Sequence, residues 1–125
     1  MNNFIRSPQS SYIKGRIAEE IAMRYLCNQG VEIVAHNTHY PFGEIDVIGK
    51  FEGVLIAFEV RYRSNATFIS PIETITKSKV KRILNCLVTY AKENSAYKNF
   101  NLRIDIICIT GTLHNPTITW IPNII

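Results

Sequence analysis

Residues 43–63 read GEIDVIGKFEGVLIAFEVRYR, and the alternation within them decides the fold. From Gly43 to Ile48 the period-two pattern predicts a strand with Ile45 and Val47 on one face and Glu44, Asp46 and Ile48 on the other. Lys50 to Gly53 supplies a turn ending in glycine. Alternation then resumes. Val54, Ile56, Phe58, Val60 and Tyr62 fall on one face, and Leu55, Ala57, Glu59, Arg61 and Arg63 on the other. Two strands joined by a short turn make a hairpin. Glu59 stands in the middle of a hydrophobic run, where burying a carboxylate is costly unless a cation of the chain or a bound metal pairs with it. In a hairpin Asp46 and Glu59 reach one face of one sheet, with Arg61 two positions along.

Two convergent carboxylates beside a fixed cation suit chemistry at phosphorus. Mg²⁺ takes oxygen ligands, commonly one or two carboxylates, and completes its shell with water and phosphate. Such an ion activates a water and neutralises phosphate charge. A neighbouring cation stabilises the extra negative charge of the transition state.

An acidic residue, a gap, then Glu-x-basic resembles the active-site hairpin of the restriction-endonuclease-like nuclease superfamily, whose pattern is Asp, a gap, then Glu-x-Lys. More narrowly, the chain resembles the YraN-like family of small bacterial proteins, itself similar to archaeal Holliday junction resolvases. The likeness covers most of the chain. It takes in Gly43-Glu44-Ile45-Asp46, Phe58-Glu59-Val60, Gly15 with Ala18-Glu19, Tyr25-Leu26 and Asn37. It continues through Lys79, Arg82-Ile83, Arg103-Ile104-Asp105 and Ile121-Pro122-Asn123. The resemblance implies Mg²⁺ or Mn²⁺ held by Asp46 and Glu59, with Glu19 as a third carboxylate of the site. It also implies DNA as the partner, branched or duplex, and a homodimer by analogy with the resolvases. One position departs from the pattern: Arg61 stands where the family has Lys. Arginine keeps the charge but is larger, planar and not deprotonated at accessible pH. It serves if the position only stabilises charge, and fails if the position must orient or deprotonate a water.

Length and composition bound these readings. A chain of 125 residues fits one domain with a real core. Its hydrophobic content of 46% and charged content of 19% are those of a globular protein. Residues 1–11 are polar, with no apolar segment long enough for a signal peptide, and no run predicts a membrane span. Cys27, Cys86 and Cys108 show no CxxC spacing and fall inside predicted elements, so they read as reduced core thiols of a cytoplasmic protein. Residues 1–60 hold 5 Lys/Arg against 7 Asp/Glu, whereas residues 61–103 hold 9 against 2. The basic excess thus follows directly after the hairpin. Phosphate contacts provide most non-specific affinity for nucleic acid, but a solvated lysine-rich helix gives the same count.

Around the hairpin, residues 1–10 read as a flexible lead and 11–125 as a single nuclease-like domain. A helix capped at Ser10 or Ser11 runs to about Asn28, with Ile13, Ile17, Ala18, Ile21, Ala22, Tyr25 and Leu26 on its apolar face and Gly30 as its stop. Glu19 lies at the edge of that face. It reads as a site carboxylate or as an ordinary boundary glutamate. Val31 to His39 is a first strand, on which His36 and His39 point to opposite faces and form no metal pair. Ser64 to Thr76 is a loop. A second helix from Thr76 or Ser78 to Glu93 carries a clean apolar stripe at Val80, Ile83, Leu84, Leu87, Val88 and Ala91. Lys79 flanks that stripe, as a phosphate contact or a stand-in for the missing lysine. Lys77, Arg82 and Arg63 are further candidates for contact with nucleic acid. Residues 102–110 form an inner strand interrupted by Asp105, which is expected to pair with a basic group such as Arg103. Residues 117–121 form an edge strand.

The element order predicts an α/β protein with a restriction-endonuclease-like αβββαβ core, a central mixed sheet flanked by helices. Gly-rich phosphate loops, Ser-His-Asp arrangements and zinc spacings are absent. The expected function is that of a metal-dependent endonuclease acting on DNA. The alternatives are a catalytically impaired nucleic-acid-binding module and a structural or interaction protein.

Overall fold

In the computed structural model, which describes residues 8–64 and 71–125, the two strands of the hairpin are the middle of a five-stranded sheet. Of the lead expected at residues 1–10, residues 8–10 are already helical, so the first helix starts before the cap expected at Ser10 or Ser11; the rest of the lead and the centre of the loop expected at 64–76 lie outside those residues. The elements are α1 (Pro8–Asn28), β1 (Glu32–Tyr40), β2 (Gly43–Phe51), β3 (Val54–Arg63), α2 (Lys77–Glu93), β4 (Asn101–Thr110) and β5 (Thr117–Ile121). Single 3-10 turns at Pro71–Thr74 and Ser95–Tyr97 flank α2; they are too short for periodicity to mark them. The strands lie in chain order. β1, β2 and β3 form an antiparallel meander, β3 and β4 run parallel, and β5 returns antiparallel on the edge. α2 is the crossover that a parallel β3–β4 pair requires. The outcome is the α/β arrangement expected, with a mixed sheet between two helices.

Each helix end has a local cause. At the C-terminus of α1 the Val31 amide donates to the Leu26 carbonyl and the Gly30 amide to the Cys27 carbonyl, with Gly30 at φ +96°. This is a glycine-stopped helix end whose left-handed residue a side chain would disfavour. At the N-terminus of α2 the Thr76 hydroxyl accepts from the Lys79 amide at 3.0 Å, so the helix starts at Lys77.

The two helices bury opposite faces of the sheet. Ala18, Ala22 and Leu26 of α1 pack with Val47, Ile56, Phe58, Ile107 and Ile109. Ile83, Cys86 and Leu87 of α2 pack with Ile45, Ile48, Leu55, Ala57 and Ile104. The alternation read along β3 holds: Ile56 and Phe58 face α1, Leu55 and Ala57 face α2. Three expectations are corrected. Ile45 and Val47 do not share a face, because each lies in a different core. Ile13 and Ile17 are 49% and 40% exposed, since only the C-terminal half of α1 sits over the sheet. Cys27 is exposed at the end of α1, while Cys86 and Cys108 are buried, and all three are free thiols.

Gly49 tests how tightly β2 meets the α1 core. A Cβ there would stand 2.5 Å from Val31 Cγ1 and 3.1 Å from Phe58 Cε2. Both neighbours are buried. Gly49→Ala is therefore expected to destabilise by roughly 1–3 kcal/mol through overpacking, read as a lowered midpoint in urea denaturation at unchanged slope. An unchanged midpoint would show that Val31 moves aside freely.

Candidate functional site

The site forms where the β2–β3 ladder opens. Their paired register runs from Phe51↔Val54 up to Val47↔Phe58 and stops there. Asp46 is the next residue of β2, and Glu59 the next of β3. Beyond that point the Val60 amide donates to Asp46 Oδ2 at 2.9 Å, so a carboxylate occupies the place of a strand carbonyl. The same spot is where the facing of β2 changes between Ile45 and Val47. β1 is irregular opposite it as well. Its register shifts between Ile33 and Ala35, and Asn37 adopts φ +50°, a left-handed conformation that asparagine tolerates better than most residues. Irregular backbone in the middle of a sheet commonly re-aims side chains toward a site.

Glu59 is 6% exposed and on the α2 side of the sheet. Its Oε2 lies 3.4 Å from Arg61 Nε and 3.3 Å from Lys79 Nζ. Arg61 comes from two residues along the same strand face, and Lys79 from the first turn of α2. Asp46 is the electrostatic opposite. Its carboxyl is pushed up from 3.8 to about 7, first by burial and then by the charge of Glu59. The Val60 amide pulls it down, Glu19 raises it again and Lys79 opposes. Two carboxylates thus compete for one region, and both short ion-pair contacts there go to Glu59.

Four of the expected residues are therefore brought together: Asp46, Glu59, Arg61 and Lys79. Glu19 is near enough for its charge to act on Asp46. Among the described residues no three His, Cys, Asp or Glu side chains form a group able to hold a metal ion. The expected third carboxylate, Glu19, is thus not grouped with Asp46 and Glu59, and two carboxylates are within the one or two that Mg²⁺ usually takes. A repelling pair fits a divalent cation, which would relieve the repulsion that raises Asp46. Arg61 Nε is buried without a hydrogen-bond partner among the described residues. An orphaned cationic donor fits an anionic oxygen such as that of phosphate.

The remaining candidates lie further out. Arg82 donates to Ser78 Oγ at 2.8 Å and shares a cavity of about 360 Å³ with Lys79, Glu44 and Tyr40. Glu44 is an exposed strand-end residue paired with His39 Nδ1 at 3.1 Å. Lys77 is exposed at the start of α2, and Arg63 is half-buried near the end of β3; neither joins the carboxylate cluster by a described contact. Asp105 pairs with Arg103 as expected and lies in register with Phe58, on the face opposite Glu59. A second cavity, of about 430 Å³, opens on the α1 side and contains Tyr12, Gly15, Arg16, Glu19 and Asn37. Tyr12 and Arg16 carried no mark in the sequence beyond their nearness to Gly15, a glycine inside a helix.

Comparison with known proteins identifies the chain at the level of family. The family model described as "Uncharacterised protein family UPF0102" matches residues 18–109, which span the whole site from Glu19 to Lys79. A UPF0102 protein of Coxiella burnetii is 37% identical over 108 residues, covering 86% of this chain and 88% of that protein. One from Francisella tularensis subsp. tularensis is 37% identical over 110 residues, covering 87% and 91%. One from Colwellia psychrerythraea is 32% identical over 115 residues, covering 91% and 89%. With a family model over most of its length and relatives of matching size, the chain belongs to the uncharacterised protein family UPF0102.

Proposed function

We infer that the protein is a metal-dependent nuclease acting on DNA phosphodiester bonds. The observation that supports this most is the Asp46–Glu59 pair at the opened ladder, with Asp46 raised to about 7 by burial and by Glu59. Asp46 and Glu59 would hold Mg²⁺ or Mn²⁺, and Glu19 would complete the shell through water. When bound, the ion would supply Lewis acidity for displacement at phosphorus. The chain's own groups would do the rest. The Val60 amide fixes the Asp46 carboxylate. Arg61, with its unpartnered Nε, would turn from Glu59 to the phosphate and balance its transition-state charge. Lys79 would deliver from α2 the ammonium that β3 lacks, since its Nζ already reaches Glu59. Arg82, Arg63 and Lys77 would hold flanking phosphates, a contribution that weakens with salt. Among the described residues no helix is long and apolar enough to cross a membrane. A homodimer, by analogy with resolvases, would present two such sites.

A second reading has its own support. Arg61 Nε is aimed at Glu59 with no hydrogen bond made, and an arginine cannot give up a proton there. On that reading the protein binds nucleic acid without cutting it.

Cleavage of duplex, single-stranded, flapped and four-way DNA with Mn²⁺ separates the two. Wild type is expected to cut, Asp46→Ala to lose all cutting, and Lys79→Ala to lose about a hundredfold or more. If wild type is silent and Arg61→Lys cuts, the binding module stands. Silence of every form, with no retarded DNA band at low salt, would leave only a structural or interaction role.

A further inference from the structure

Of the second cavity, on the α1 side, only Glu19 is used above. Tyr12 lines it and is 68% exposed, so its ring contributes little to either core. Arg16 lies one turn further on, its guanidinium carbon 6.0 Å from the centre of that ring. Gly15 lies between them. A Cβ on Gly15 would meet nothing within 4 Å among the described residues. Mid-helix glycine costs about 1 kcal/mol relative to alanine, and here no packing neighbour demands it. Gly15 also lines an adjoining cavity of about 400 Å³ with Lys14 and Tyr62. The two cavities meet along this bare stretch of helix. One turn beyond Gly15 is Glu19, whose charge reaches Asp46.

A bare helix surface, one free aromatic face, and Lys14 and Arg16 on either side are the parts of a single-strand track. Bases stack on aromatic rings whatever their identity, and cations follow the backbone. Each cavity falls in the range of roughly 300–1,000 Å³ that takes one small molecule at a time, which suits successive unpaired nucleotides and not a duplex. We propose that the α1 face around Gly15 binds single-stranded DNA, with Tyr12 as the stacking platform, Lys14 and Arg16 on the phosphates, and Gly15 kept small to admit the strand. The proposal rests on the nucleic-acid reading of the site and gives it a substrate class: DNA with an unpaired strand that enters beside Glu19.

Anisotropy of fluorescein-labelled oligothymidylate and of a blunt duplex, with Ca²⁺ in place of Mn²⁺, tests it on the whole chain. Tyr12→Ala is expected to weaken oligothymidylate binding by roughly five- to hundredfold and to leave the duplex unchanged. Gly15→Met is expected to do the same by obstruction, without altering charge. Gly15→Ala serves as the control. It should melt higher than wild type, and all three variants should keep the wild-type circular dichroism. Oligothymidylate bound by wild type, Tyr12→Ala and Gly15→Met with equal affinity would overturn the track and leave the nuclease reading standing. Binding of the duplex alone by wild type would do likewise. Binding of neither probe would overturn both.

Discussion

Asp46→Asn is expected to raise the melting midpoint of the metal-free protein and, in the same step, to abolish its response to Mn²⁺. Asparagine keeps the oxygen that accepts from the Val60 amide, so the opened ladder is held as before. It removes the charge that burial and Glu59 both oppose. The sign follows from linkage. An acid whose folded-state pKa lies above its unfolded value binds more protons folded than unfolded, so stability falls as pH rises between the two values. For Asp46 that window runs from 3.8 to about 7, and above it the full penalty is present. At about 1.4 kcal/mol per unit the penalty is roughly 2–4 kcal/mol, enough to shift the midpoint by at least about 5 °C. The gain should therefore be evident near pH 8 and vanish near pH 4, by ~3 units of travel through the titration.

Mn²⁺ reverses the order. Wild type is expected to gain stability by mass action, about 2.7 kcal/mol at a hundredfold excess over Kd, and to gain it best where Asp46 has already lost its proton. The variant has only Glu59 left as a direct carboxylate donor and should not move. Thermal melts of both proteins, with and without Mn²⁺ across that pH range, give the whole pattern. A lower midpoint for Asp46→Asn without metal would mean that Asp46 acts as a stabilising acceptor only, and the metal site would fall with it.

Why was this pair legible in the chain and the surroundings less so? β3 buries both faces between two helices, so its alternation carried through from Val54 to Arg63 and placed Glu59 and Arg61 correctly on one face. β2 follows the same rule only up to Asp46. The ladder opens there, Ile45 crosses to the α2 core, and a strict period of two predicts the wrong neighbour for it. The pairing of Asp46 with Glu59 thus survives for a different local reason than alternation. Lys79 was marked by its place beside the stripe of α2, and Thr76 as a cap fixed the register that brings its amine to Glu59. The α1 pattern predicts burial for Ile13 and Ile17 and the structure exposes them, because periodicity reports which side of a helix is apolar and not where the sheet beneath it ends. The exposed remainder of that helix is the part that holds the second cavity.

Asp105→Ala is expected to cost roughly 3–5 kcal/mol while leaving the Mn²⁺ response intact. The sequence raised Asp105 as an interruption of an inner strand, and the fold explains why it persists. It has no exposed surface. Its two oxygens accept four hydrogen bonds: Arg103 Nε at 3.0 Å, Arg103 Nη2 at 2.9 Å, Trp120 Nε1 at 2.7 Å and the Asn123 amide at 2.8 Å. One carboxylate thereby ties β4 to β5 and to the chain after it. Removing it takes the shared acceptor from a half-buried guanidinium, a half-buried indole N–H and a backbone N–H at once, and each donor that water does not reach carries its desolvation cost. A loss of that size is about a fifth or more of the stability of an ordinary domain. Trp120 is the only tryptophan, and it packs edge-on against Phe51 and Phe58, so its fluorescence reports the docking of β5 directly. Urea denaturation should show a lower midpoint in the variant, with red-shifted emission already in its folded baseline. Trp120→Phe loses one of the four bonds and the indole contact, so the double variant should cost less than the sum of the two single ones. Because Asp105 is held by these four bonds and lies in register with Phe58, with no described contact to Asp46 or Glu59, Mn²⁺ should raise the midpoint of the variant as much as that of wild type. Loss of the Mn²⁺ response in Asp105→Ala would instead place this carboxylate within reach of the ion and overturn its reading as a structural residue.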